Sequence, residues 1–392
     1  MKIKLFTRYA SFVLAIGFFI SCTGSKFSAN KLIEEGSYEQ ALTEISAELE
    51  KKPTSSLYFQ KGRVHGLISE EEPVGQRRTD YLDMVVAFDS AKVLSSENDS
   101  STLKMIDSLT SYYWDKEQKN GLLSYEADNN SQLELAINHF QNAISINPNK
   151  IEAYKSLSIA FYNNDQIDQA ISTLQEAESI GSSDLEIYES LGFLYLEIGN
   201  PELSVANYEK ANQNPLKNKN IAFGLVNAYI SQDMTTQAIS FLEKLTLEYP
   251  NESKLHNVYG TQLYIQVSAL FDEFKSSYAN NDTSSVNNFR VEIEGVSEKS
   301  ENQLIEAYKM NDSNIEYIES LAVFYNNMSG NYFSVHSVAF DSHKQSIKDK
   351  ALSLTDFAIT YYKQLADSSN QNEAYTEKIE NLTSLKESWT NQ

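Results

Sequence analysis

A 34-residue step runs through residues 151–252 and constrains this chain more than any other feature. Aligned as Ile151–Asp184, Leu185–Asn218 and Lys219–Glu252, three rows keep residue size by column. Column four holds Tyr154, Tyr188 and Ala222, and column seven holds Leu157, Leu191 and Leu225. Column eight holds Ser158, Gly192 and Val226, and column eleven holds Phe161, Tyr195 and Tyr229. Ala170, Ser204 and Ala238 share column twenty, Leu174, Tyr208 and Leu242 column twenty-four, and Ala177, Ala211 and Leu245 column twenty-seven. Two antiparallel helices need small residues where they cross and large ones where they fill the gap. Each such unit buries its apolar faces only against its neighbours, so the rows predict a stacked array rather than a fold around one central core.

By period and column type the rows resemble the tetratricopeptide repeat (TPR) family. The resemblance implies an all-α, right-handed superhelical solenoid of stacked antiparallel helix pairs. It also implies a protein or peptide partner in the concave groove, which in the family is lined by columns two, five, nine and twelve of each first helix. Carried onto this chain, those columns are Glu152, Lys155, Ile159 and Tyr162 in the first row, and Glu186, Glu189, Phe193 and Leu196 in the second. In the third they are Asn220, Phe223, Asn227 and Ile230. A later, stretched row adds Glu316, Glu319, Val323 and Asn326. Large apolar residues on a groove mark a partner site; the competing reading is that Ile159, Phe193 and Phe223 pack against neighbouring helices. Members of the family that grip acidic C-termini use Lys and Asn at columns five and nine. Here Lys155 pairs with Ile159 and Glu189 with Phe193, so an acidic partner is not expected.

The column pattern extends both ways. Counted back from Pro53, it places Ala41 and Ile45 in the second-helix seats, with a turn at Gly36-Ser37-Tyr38. Helices are predicted over Leu57–Ser69, Asp80–Leu94, Thr102–Ala127 and Leu133–Ile146, with an acidic loop at residues 70–75. Beyond Glu252 the register stretches. Helices are predicted over Val258–Tyr278, Asn287–Lys309, Ile315–Tyr325 and Ala351–Ala366, with loops at Asn280–Ser284 and Asn326–Val335. Glu373–Trp389 pairs one apolar stripe with a polar face, as a terminal capping helix requires. The expected organisation is a leader at 1–21, degenerate repeats at 22–150, regular repeats at 151–252, stretched repeats at 253–370 and a cap at 371–392.

The N-terminus carries an address. Lys2, Lys4 and Arg8 precede the apolar run Ala10–Ile20, which is shorter than the roughly 20 residues a membrane span takes. The run ends at Phe19-Ile20-Ser21-Cys22, and Cys22 is the chain's one cysteine. This resembles the lipobox of bacterial lipoproteins, with Phe19 where Leu is usual. The resemblance implies lipidation of Cys22 and a lipid-anchored protein of the bacterial cell envelope; Thr23 rather than Asp implies the outer membrane before the inner. No cofactor is expected.

Formal charge is −22, and without residues 1–21 it is −25, with 29 basic against 54 acidic residues. Phosphate binding relies on Lys and Arg, so nucleic acid is excluded as the main partner. Catalytic chemistry has little to build on. His65, His139, His256, His336 and His343 show no paired ligand spacing, so no metal site is expected. His336 and His343 are seven apart and could share a helix face, but a surface or loop role is expected before a metal site. There is no nucleophile elbow or phosphate-cradling loop, and no acid/base pair stands out among so many carboxylates. Three roles remain: an interaction scaffold, an accessory subunit of an outer-membrane assembly or uptake complex, and an enzyme or small-ligand binder using a pocket in residues 256–345.

Overall fold

The computed structural model describes residues 29–96, 100–127, 130–181, 184–211, 214–368 and 372–391. The leader, Cys22 and residues 23–28 lie outside the described residues, as do residues 97–99. The described residues form seventeen α-helices and no strand. They divide into two compact units, residues 1–164 and 165–392. The N-terminal unit holds α1 (Ala29–Glu34), α2 (Tyr38–Lys51), α3 (Ser55–Glu71), α4 (Arg78–Val93), α5 (Ser100–Glu126), α6 (Asn130–Ile146) and α7 (Ile151–Asn163). The C-terminal unit holds α8 (Ile167–Ser179), α9 (Leu185–Glu197), α10 (Pro201–Ala211), α11 (Lys219–Ser231), α12 (Thr235–Glu248), α13 (Ser253–Ala279), α14 (Thr283–Met310), α15 (Ile315–His336), α16 (Asp341–Ser368) and α17 (Asn372–Thr390).

The turns repeat as the columns do. A first helix ends where one residue enters the left-handed region: Gly36 (φ 74°), Gly199 (φ 72°), Asp233 (φ 55°) or Asn281 (φ 55°). The next N–H then reaches back to a carbonyl five residues earlier, as in Asn200 to Tyr195 (2.8 Å), Met234 to Tyr229 (2.9 Å), Ser37 to Leu32 (2.8 Å) and Asp282 to Ser277 (2.9 Å). Gly, Asp and Asn tolerate this conformation better than other residues. At the opposite ends Asn218, Asp184 and Asn314 cap α11, α9 and α15 by accepting from first-turn N–H groups.

The small seats and large seats meet as pairs. A Cβ placed on Gly62 would come 2.5 Å from the Phe88 ring, and one on Gly192 would come 2.8 Å from Tyr208 Cγ. Gly121 stands in the same relation to Phe140 (2.5 Å), and Gly260 to Leu304 Cγ (2.6 Å). Four helix pairs therefore use a glycine on the first helix as the slot for a large side chain of the second. Two of them add a hydroxyl: Ser204 Oγ donates to the Gly192 carbonyl and Ser300 Oγ to the Gly260 carbonyl, both at 2.7 Å. Each bond satisfies a buried serine while drawing the backbones together. Tyr208 reaches further: its ring end fills the space at Gly224, which ties α9, α10 and α11 through one side chain.

The stretched region departs from the sequence reading at its helix boundaries: α13, α14 and α16 start earlier than expected, α16 at Asp341 rather than Ala351, and the largest change is in α15. Asn326–Val335 is not a loop; α15 runs unbroken from Ile315 to His336. The run Asn-Asn-Met-Ser-Gly-Asn suggested a break, but Leu321, Tyr325, Met328, Tyr332 and Val335 continue a three- and four-residue apolar stripe, and all are buried. Burial of that stripe against α13, α14 and α16 outweighs the weak helix propensity of the polar residues. The acidic loop at 70–75 also begins later than expected, because α3 continues through Glu71. In the same way α14 starts at Thr283, with Asp282 as its cap.

Candidate partner-binding face

The first helices of the C-terminal unit present the predicted groove columns. On α9, Glu186 is exposed, Glu189 and Leu196 are half-buried, and Phe193 is 39% exposed. On α11, Asn220 and Asn227 are exposed, and Phe223 and Ile230 are half-buried. Phe223 and Ile230 pack partly on the cluster of Ala222, Leu242 and Tyr259, so for them the packing reading holds in part. On α15, Glu316 and Glu319 are exposed, and Val323 and Asn326 are half-buried. The first-row residues belong to the N-terminal unit: on α7, Glu152 is exposed, Ile159 is 49% exposed, and Lys155 and Tyr162 are half-buried.

Local bonds join these positions. The capping Asn218 donates from Nδ2 to Glu189 Oε2 at 3.5 Å. Lys219 lies 5.8 Å from the Phe223 ring centroid and pairs with Glu252 at 2.5 Å. Asn257 on α13 donates to Glu316 at 3.4 Å, and Tyr375 on α17 donates to Glu319 at 3.4 Å. Burial raises the Tyr375 hydroxyl, and Glu319 pushes it the same way, so it stays protonated as the donor. Burial likewise raises Tyr208, beneath Glu189 and Glu197, to about 12. The face thus combines carboxylates, side-chain amides and two part-exposed phenyl rings.

The same columns can be counted on α13, which the sequence reading did not do. Tyr259 and Gly260 already stood in seats seven and eight, and counting on from them gives Asn257, Thr261 and Tyr264 at five, nine and twelve. The sequence reading also misplaced the histidines. His65, His139 and His256 are buried between helices, bonded to Asp80 (2.7 Å), Glu117 (2.5 Å) and Gln303 (2.7 Å). His336 and His343 lie on different helices: the first packs edge-on against Trp389, and the second bonds Tyr278 at 2.8 Å. They do not share a face, because the chain turns between α15 and α16.

The most concentrated group of ionisable residues is in the N-terminal unit. Glu117 on α5 is 0% exposed. Its Oε1 accepts from Arg77 Nη1 (3.0 Å) and Tyr81 Oη (2.8 Å). Its Oε2 faces His139 Nδ1 (2.5 Å) and Asn142 Nδ2 (3.4 Å). Burial pushes this carboxyl up, but the bonds from His139, Tyr81 and Arg77 prevail and hold it below the usual carboxylate range. Both oxygens are taken and none of the carboxylate meets solvent, so the group clasps α4, α5 and α6 and leaves no place for a substrate. Among the described residues, no cluster of three or more His, Cys, Asp or Glu has metal-binding geometry, and no helix is long and apolar enough to cross a membrane.

Residues 185–214 and 222–252 match two models described as the tetratricopeptide repeat. The pairs α9–α10 and α11–α12 are therefore repeats of that kind. No curated protein matches the chain. Similar solved structures include YrrB, titled a TPR protein with an unusual peptide-binding site; it shares 14% identity at TM-score 0.38, covering 52% of this chain and 89% of its own. PilF of Pseudomonas aeruginosa shares 13% identity at TM-score 0.43, covering 68% and 97%. The C-terminal part of a TPR repeat-containing protein from Cytophaga hutchinsonii shares 17% at TM-score 0.37, covering 76% and 99%.

Proposed function

We propose that this chain is a non-enzymatic interaction scaffold of the bacterial cell envelope, which holds a segment of a partner protein on the first-helix face of its C-terminal unit. The observation that carries the reading is Phe193, a large aromatic side chain 39% exposed at column nine of α9. Phe193 and Phe223 supply apolar contact, and Glu186, Glu189, Glu316 and Glu319 disfavour an acidic partner. Affinity capture with the intact chain tests this. Phe193→Ala with Phe223→Ala should cut recovery of a specific partner by at least about tenfold, corresponding to about 1.4 kcal/mol. Unchanged recovery of every partner would exclude this face.

The lipid anchor belongs to the same proposal and rests on Lys2, Lys4, Arg8, the Ala10–Ile20 run and Cys22. Wild-type protein should incorporate labelled palmitate in bacteria, and Cys22→Ala should not. Label retained in the variant would remove the anchor from the proposal and leave the binding face standing.

A further inference from the structure

Helix α4 is apolar on two opposite sides. Tyr81, Met84, Phe88 and Ala91 are buried in the core of the N-terminal unit. Leu82, Val86 and Val93 form a second row, all of them exposed, Val86 to 65% and Val93 to 83%. At 3.6 residues per turn the three fall within about 40° of one another, roughly half a turn from the buried row. Val93 is more exposed than any other large apolar side chain among the described residues. An exposed valine is a poorer helix former than glutamine or lysine, and no burial within this chain compensates here. A helix with a second apolar side has a further apolar surrounding to meet.

The position and charge of the row say what that surrounding is. α4 is the second helix of its pair with α3, so the row shares no residue with the first-helix columns. Beside it Arg78 and Lys92 balance Asp83 and Asp89, and Lys92 pairs with Asp89 at 3.7 Å. Asp80 is turned to the buried His65. In a chain of formal charge −22 this strip is neutral. It can meet zwitterionic headgroups with no net charge to bury, while the long stems of Arg78 and Lys92 keep their charged ends in water. The tether sets what the strip can reach. Cys22 stands seven residues before Ala29, where α1 begins. Fully extended, seven residues span at most about 25 Å. α1 packs on α2, α2 on α3 and α3 on α4. A lipid on Cys22 therefore holds the unit that carries α4 against the bilayer.

We propose that the Leu82, Val86 and Val93 side of α4 lies on the bilayer, with these side chains seated between the headgroups and acyl chains of zwitterionic phospholipid. The inference rests on the lipid anchor proposed above and adds an orientation to it. A lipid alone leaves the chain free to turn, whereas an apolar row beside it fixes which side of the N-terminal unit faces the membrane and strengthens the attachment. The contact lies on the surface and does not cross it, in keeping with the absence of a membrane-spanning helix among the described residues.

The test is photo-crosslinking of the full chain in membranes of bacteria that make it. A benzophenone side chain takes the place of Val93 or, as a control, of Val291, which is 65% exposed on α14 in the other unit. A phospholipid adduct on the peptide carrying position 93, and none at position 291, is the expected result by mass spectrometry. Leu82→Gln with Val86→Gln should cut that adduct at least about tenfold. The melting temperature should not change, since both side chains already face outward and glutamine is a good helix former. An adduct insensitive to those substitutions, or equal lipid adducts at both positions, would overturn the inference. So would an adduct at position 93 to a second copy of this chain or to another protein in place of lipid. Palmitate on Cys22 with no phospholipid adduct at position 93 would overturn it and leave the anchor standing. Phospholipid adducts at position 93 that persist in Cys22→Ala would support the contact whatever the fate of the anchor.

Discussion

Replacing Glu117 by alanine is expected to destabilise the N-terminal unit by about 3–5 kcal/mol, the usual cost of removing one partner from a buried ion pair. Arg77, Tyr81, His139 and Asn142 all direct polar groups at this carboxylate, and none of its surface meets water. Urea unfolding followed through Trp114, in a Trp389→Phe background, isolates this unit, since Trp114 and Trp389 are the chain's two tryptophans and fall in different units. The pH dependence carries a sign. The folded carboxyl lies below its ordinary value. Its contribution is therefore fully present above the unfolded pKa of about 4.3 and is lost as pH falls through the folded pKa. Wild type should lose more stability than Glu117→Gln on acidification from pH 5 downward. Parallel curves would mean that the clasp contributes nothing.

Tyr208→Ala should cost the C-terminal unit about 3–5 kcal/mol, the usual range for deleting a buried aromatic ring. The ring lies against Gly192 and Gly224, so its loss opens a cavity shared by α9, α10 and α11. Gly192→Ala sharpens the test. In wild type the added methyl meets Tyr208 at 2.8 Å and should destabilise by about 1–3 kcal/mol. In the Tyr208→Ala background the obstacle is gone, and the same change should be neutral or stabilise by up to about 1 kcal/mol, through helix propensity. A double-mutant cycle on thermal unfolding reads this reversal directly. Additive effects would show that the glycine is not a slot for the ring.

The helix pairs were legible because their packing is written in residue size at a fixed period. Gly192 against Tyr208, and Gly62 against Phe88, could be paired from columns alone. Two features were hidden for different reasons. Glu117 takes partners 40, 36, 22 and 25 residues away on two other helices and the turn before α4, and among 54 acidic residues nothing local distinguishes it. Its burial is a property of the packed unit. The extension of α15 was masked by asparagine, serine and glycine, which read as a loop although the apolar stripe from Leu321 to Val335 persisted beneath them. The repeat columns name candidate positions on α9, α11 and α15, and carrying the count across the stretched register adds candidates on α13.

Photo-crosslinking separates a binding face from mere exposed apolar surface. A benzophenone side chain introduced in place of Phe193, Phe223 or Leu247 would be activated in cells. Leu247 is 80% exposed on the second helix α12, more than Phe193 at 39%. Adducts to one partner from Phe193 and Phe223, and none from Leu247, are the expected result. Adducts from Leu247 with none from the other two would contradict a first-helix binding face.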